Sequence, residues 1–236
     1  MGGTGIAIDR REAASALRWW LESGVDIAVQ EQPHNWFEAP ATSPRPSVED
    51  ERVPAPPAIP DSLEGFQRWL STSQEAPLAS NSSKPVLPKG MEGAEVMLIF
   101  EPPTRDELAN SAPVGGPAAE LMERMLAAIG MTGKAYSANL SCFHSPAGRL
   151  SPKQLEQCAA AARRHVALAR PKRLLLLGDS PALALLGKPL VQARGHVHKI
   201  EGIRTVATFH PRQLLKRPSD KALAWKDLLL LTEEES

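Results

Sequence analysis

Three polar residues stand where short apolar runs end. Val96 to Phe100 (VMLIF) leads into Glu101-Pro102-Pro103, AYSAN closes on Asn139, and IRTVATF leads into His210-Pro211. A carboxylate can orient or activate water, an amide offers both a donor and an acceptor, and an imidazole exchanges protons near neutrality. Singly, each has a plain structural use: Glu as a cap or turn residue, Asn as a turn former, His as a buried hydrogen-bonding side chain. In an open α/β sheet, however, ligands bind outside the carboxyl ends of the strands. If these runs are strands of one sheet, Glu101, Asn139 and His210 converge on one edge. Such a convergence marks a site without naming its reaction.

The elements that must position them follow from hydrophobic patterning. VMLIF and RLLLL (Arg173 to Leu177) are continuous apolar runs, as strands buried on both faces require. AYSAN is a third strand, and VHKI and IRTVATF are two extended runs around a tight Glu201-Gly202 turn. Pro117 to Ile129 carries a stripe of Leu121, Met122, Met125, Leu126 and Ile129, with Gly130 as its stop. Ser151-Pro-Lys-Gln154 opens a helix to about Ala169 as a capping box. Ser180 to Leu186 is a short helix, and the last runs from about Ser219 to Leu231 with Leu223, Trp225, Leu228 and Leu229 as its core face. Strands alternating with helices imply an α/β fold with a mostly parallel sheet.

Ahead of this region the texture differs. Residues 1–32 hold one helix, about Arg10 to Ser23, an N-terminal helical arm. Eight prolines crowd residues 33–60, which read as a disordered linker. The folded domain then spans 61–232, opening with a helix from about Ser62 to Leu70. Residues 1–94 carry 8 Lys/Arg against 13 Asp/Glu, a net of −5, and residues 95–236 carry 19 against 14, a net of +5. A basic folded part can attract a polyanion. No apolar run approaches the roughly 20 residues of a membrane span, and no secretory leader is visible, so a cytoplasmic, non-membrane protein is expected. Two cysteines, Cys142 and Cys158, exclude a disulfide framework and a four-cysteine metal site.

At these residues the sequence resembles the uracil-DNA glycosylases, most closely the iron–sulfur group called family 4. Glu101-Pro102-Pro103-Thr104 stands at the family's first motif, G-E-(A/G)-P-G. Asp106-Glu107 and Ser111-Ala112-Pro113-Val114-Gly115 follow in place of an acidic stretch and a G-R-P-F-x-G loop. AAELMERMLAAIGM matches the next helix, and Ala138-Asn139 through Pro146 and Leu150 through Cys158 match the two segments that follow. Arg194-Gly195 with His198 fits the L-R-G-x-x-H stretch. Thr208-Phe209-His210-Pro211-Arg212-Gln213-Leu214-Leu215-Lys216-Arg217-Pro218 is nearly the whole last motif, T-F-H-P-x-x-L-L-R-x-P. The resemblance implies a three-layer α/β/α domain around a mostly parallel, four-stranded sheet.

It also implies a monomeric DNA-repair enzyme acting on DNA that contains uracil or a related deaminated base. His210 would stabilise the departing base anion, Asn139 would read the base edge, and Glu101 would orient water or favour the sugar cation. Glu107 would lie near the pocket, and Pro113 would take the place of the family's base-stacking Phe. Leu214 and Leu215 would wedge into the duplex, with Arg212, Lys216 and Arg217 on phosphates. Two departures bear on this expectation. Ser73 and Ala76 replace two of the four cluster cysteines, so no iron–sulfur cluster and no other cofactor are expected, because two thiolates cannot hold what four normally hold. Phe100 and Thr104 replace the motif's glycines and would narrow the approach to the site. The alternative is a degenerate glycosylase fold that binds DNA or a partner without base excision.

Overall fold

A computed structural model describes residues 60–79 and 84–233, together with residues 14, 15, 18–20 and 22, which are helical. The remainder of the expected N-terminal helix and the Pro-rich segment up to 59 lie outside the described residues. The chain divides into two units, Met1–Val53 and Pro54–Ser236, and the fold given below is that of the second.

Five strands form one sheet: β1 (Val96–Phe100), β2 (Ala135–Asn139), β3 (Arg173–Leu177), β4 (Val197–Ile200) and β5 (Ile203–Thr208). Their spatial order is β2-β1-β3-β5-β4. β2, β1, β3 and β5 run parallel, and β4 is antiparallel to β5. The expected four-stranded sheet thus corresponds to the parallel part, and the fifth strand is the first arm of a hairpin. Its turn is Glu201 at φ 50° and Gly202 at φ 77°. Positive φ at both central residues matches the twist of a two-residue hairpin. Every residue of β1 is buried, as its unbroken apolar sequence requires.

Helices cover both faces: α1 (Leu63–Thr72), α2 (Arg105–Ala109), α3 (Gly116–Ala128), α4 (Pro152–Ala169), α5 (Asp179–Leu186), α6 (Leu190–Ala193), α7 (Pro211–Lys216) and α8 (Lys221–Thr232). Ser151 forms the anticipated capping box with Gln154. Thr104 forms a second one with Glu107 at the start of α2, an element too short to leave a periodic trace. In α8 the buried positions are Ala224, Asp227, Leu228 and Leu231, whereas Leu223, Trp225 and Leu229 are exposed. This corrects the expected core face: α8 is apolar around most of its circumference, so periodicity does not fix its rotation. No helix among the described residues is long and apolar enough to cross a membrane.

Candidate active site at the carboxyl edge of the sheet

β1 pairs with β2, Phe100 beside Asn139, and β3 joins β1 to β5, with Leu177 next to both Phe100 and Thr208. The residues that follow these strand ends therefore share one edge. A cleft of about 640 Å³ opens there, lined by Glu101, Thr104, His210, Leu215, Lys216 and Arg217 among others.

His210 caps α7 and is only 2% exposed. Its Nδ1 accepts the backbone N–H of Arg212 at 3.1 Å. Burial, with Arg212 nearby, holds its pKa well below the usual histidine value, so the ring is neutral and its one proton sits on Nε2. That Nε2 is buried and has no hydrogen-bond partner among the described residues. The edge of Phe100 packs against the ring at 5.5 Å between centroids. Phe100 is fully buried; it supports His210 from the core and does not narrow the entrance.

Asn139 is 7% exposed and stands just behind the cleft. Its Nδ2 donates to the carbonyls of Glu101 and Pro113 at 2.8 and 2.9 Å. Both partners can only accept, which fixes the amide orientation. Its Oδ1 then remains buried and unpaired. Pro113 contributes its carbonyl to this arrangement. It is buried and, like Asn139, lies outside the lining of this cleft.

Glu101 lies against Gly178, where a Cβ would come within 2.6 Å of its Cγ. Gly178 has φ 108°, so both the backbone and the space call for glycine. Glu101 accepts from the N–H of Asp179 through Oε1 at 3.2 Å and from Arg212 Nη2 through Oε2 at 3.3 Å. Glu107 is buried, and Arg212 Nη1 reaches its Oε2 at 2.5 Å.

Arg212 is thus engaged by carboxylates, not presented to solvent with Lys216 and Arg217, both of which are exposed. The two leucines also part company. Leu214 is 1% exposed and belongs to the core, which removes it as a wedge, while Leu215 is 42% exposed at the cleft.

Sequence reasoning missed Asp227. This buried carboxylate takes Arg194 Nη2 at 3.0 and 3.1 Å, Gly195 N–H at 3.1 Å and the Thr208 hydroxyl at 2.8 Å. It pins α8 to the end of β5, two residues before His210. Its only advance signal was an acidic residue inside an apolar helix.

The residues at the family's four cluster-ligand positions do not suit an iron–sulfur cluster. Ser73 and Ala76 bring no thiolate, and Ala76 and Cys142 pack with Phe66, Leu70, Phe143 and Ala161 in an apolar cluster. Burial pushes the thiols of Cys142 and Cys158 up to about 12, so both are neutral.

Fold and site together define an α/β protein whose polar chemistry collects at the carboxyl edge of a parallel sheet. The family model for the uracil DNA glycosylase superfamily matches residues 87–229, more than half of the chain, and the chain belongs to that superfamily. A curated relative, the type-4 uracil-DNA glycosylase of Archaeoglobus fulgidus, is 26% identical over 170 residues, covering 67% of this chain and 85% of the relative.

Proposed function

We propose that this protein is a DNA glycosylase that turns uracil out of the base stack and hydrolyses its N-glycosidic bond. The observation that carries this reading is the pair of buried, unpaired polar atoms, the acceptor Asn139 Oδ1 and the donor His210 Nε2–H. An unsatisfied buried group costs about 1–3 kcal/mol, so a ligand that completes both atoms gains by binding there. Uracil presents an N–H flanked by carbonyls: N3–H suits Asn139 and O2 suits His210. Cytosine carries a lone pair at N3, which would face the Asn139 oxygen and be repelled.

The same pair serves the chemistry. As the C1′–N1 bond breaks, its electrons pass to the base and negative charge grows on O2, where the neutral His210 donates. Aiming a fixed donor at a developing anion is the logic of an oxyanion hole. The Glu101 carboxylate favours the sugar cation and orients the water that adds to C1′; that water keeps one hydrogen as the new C1′ hydroxyl and gives up the other, which neutralises the departed uracil anion. Leu215 fills the gap left by the base, and Lys216 and Arg217 hold phosphates, contacts that position the protein without reading sequence. Flipping costs a few kcal/mol and least in single strands.

The enzyme works without an iron–sulfur cluster, a reading supported by the donor set at Ser73, Ala76, Cys142 and Cys158. Metal analysis of anaerobically purified protein is expected to return no stoichiometric iron; stoichiometric iron would overturn that part. The activity is tested on a single-stranded oligonucleotide with one uracil, followed by alkaline cleavage. Strand scission at uracil and none at cytosine is expected. Salt-dependent binding without scission at any deaminated base would instead make the chain a non-catalytic DNA binder.

A further inference from the structure

We propose that Arg212 is a positioning residue that holds the Glu101 carboxylate in its working orientation, and that it is not a phosphate contact. The proposal rests on the glycosylase reading of Glu101, Asn139 and His210 and deepens it.

The sequence places Arg212 beside Lys216 and Arg217, as one of three cations on a DNA-facing helix. The geometry separates them. Arg212 has a side chain only 26% exposed and gives one guanidinium nitrogen to Glu107 and the other to Glu101. A planar fork suits two acceptors held in a fixed relation, and a phosphate would have to displace carboxylates to reach it.

The two carboxylates differ in exposure and in the number of their hydrogen-bond partners. Glu107 is 5% exposed at its side chain and is already fixed by the N–H and hydroxyl of Thr104 at 2.8 and 3.0 Å. Glu101 is 31% exposed; its stem packs against Gly178, and among the described residues its carboxylate has, besides Arg212, the 3.2 Å hydrogen bond from Asp179 N–H. Glu107 therefore anchors Arg212, and Arg212 restrains Glu101. Its charge between them also offsets the repulsion of two like groups near one site.

On the other side, the backbone N–H of Arg212 sets the His210 tautomer. One residue thus spans from the donor that meets the leaving base to the carboxylate that faces the sugar. If Glu101 swings away, the ground-state complex survives while the transition state loses its anion.

The test is single-turnover excision from saturating uracil-containing single-stranded DNA. Misplacing a catalytic group by about 1 Å costs on the order of a hundredfold, so Arg212→Ala is expected to lower the rate about 10- to 100-fold. The DNA dissociation constant and its salt slope should stay as in the wild type, and Arg212→Lys should recover part of the rate. Truncation leaves Glu107 buried without its cation, so Arg212→Ala is also made with Glu107→Gln; thermal stability should return there and the rate should not. In Glu101→Gln protein, removing Arg212 should cost little more.

A rate that recovers together with stability would make the role structural, and an equal loss without the Glu101 carboxylate would make it independent of Glu101. Weaker binding, a flatter salt slope and an unchanged rate would restore Arg212 as a phosphate contact. Each of these overturns the proposal alone. Wild-type protein without excision would overturn the glycosylase reading and this proposal with it.

Discussion

Asp227 and His210 both lie buried beside the end of β5, one on α8 and the other at the cap of α7. Around Asp227 both carboxylate oxygens are taken, by Arg194, Gly195 and Thr208. Around His210 one nitrogen is taken and the other is left open. In the first place partners offset part of the cost of burying polarity, although burial still holds the Asp227 carboxyl above its usual value; in the second, one buried atom has no partner among the described residues. A closed network is what structure alone asks for. An open one leaves a donor at His210 and an acceptor at Asn139 that a ligand could complete. The difference separates a closed network that ties α8 to β5 from an open one that the proposed function assigns to the base.

The largest effect that would sharpen this contrast is on stability. Breaking a buried ion pair from one side costs about 3–5 kcal/mol, so Asp227→Ala should lower the denaturant midpoint by an equivalent amount. At temperatures where the variant is folded, excision should fall far less than stability. An Asp227→Ala protein of wild-type stability would show that the network holds nothing.

The second effect concerns buried histidines. Burial holds His165 down to about 3, and His210 lies well below its ordinary 6.5. Both are neutral in the folded chain and take up protons on unfolding once the pH is under about 6.5. Stability is therefore intact above that pH and lost as the pH falls toward 3, each histidine adding up to about 1.4 kcal/mol per pH unit. His165 pairs with the Tyr136 hydroxyl at 2.8 Å, so His165→Gln should lower stability at pH 7 and flatten the acid limb of a melting series. An unchanged limb would mean that His165 is charged in the fold.

The smallest effect is on binding. Lys216→Ala with Arg217→Ala should weaken affinity for every sequence alike and reduce the salt slope by about 2. An unchanged slope would place the phosphates elsewhere.

Much of this edge was legible in advance because continuous apolar runs end on polar residues: VMLIF on Glu101, AYSAN on Asn139, IRTVATF on His210. The parallel register then brings those ends together without further information. Three things were not legible. Adjacent Leu214 and Leu215 differ by one helical step, about 100°, so one turns into the core and the other to the cleft. Arg212 meets carboxylates 105 and 111 residues away, a pairing that no local pattern records. Asp227 faces inward from an apolar helix whose rotation only tertiary packing decides. In each case the missing information was which way a side chain turns, not which element carries it.

The central claim is that the open atoms at Asn139 and His210 form the base-reading and leaving-group device. It is tested most directly by His210→Ala in single-turnover excision of uracil at saturating DNA. Loss of one preorganised donor to a developing anion costs about 3–4 kcal/mol, a hundredfold or more in rate. That loss is expected with DNA affinity little changed, measured at temperatures where the variant, weakened by about 1 kcal/mol through its lost helix cap, is still folded. Excision that survives His210→Ala at the wild-type rate would contradict it.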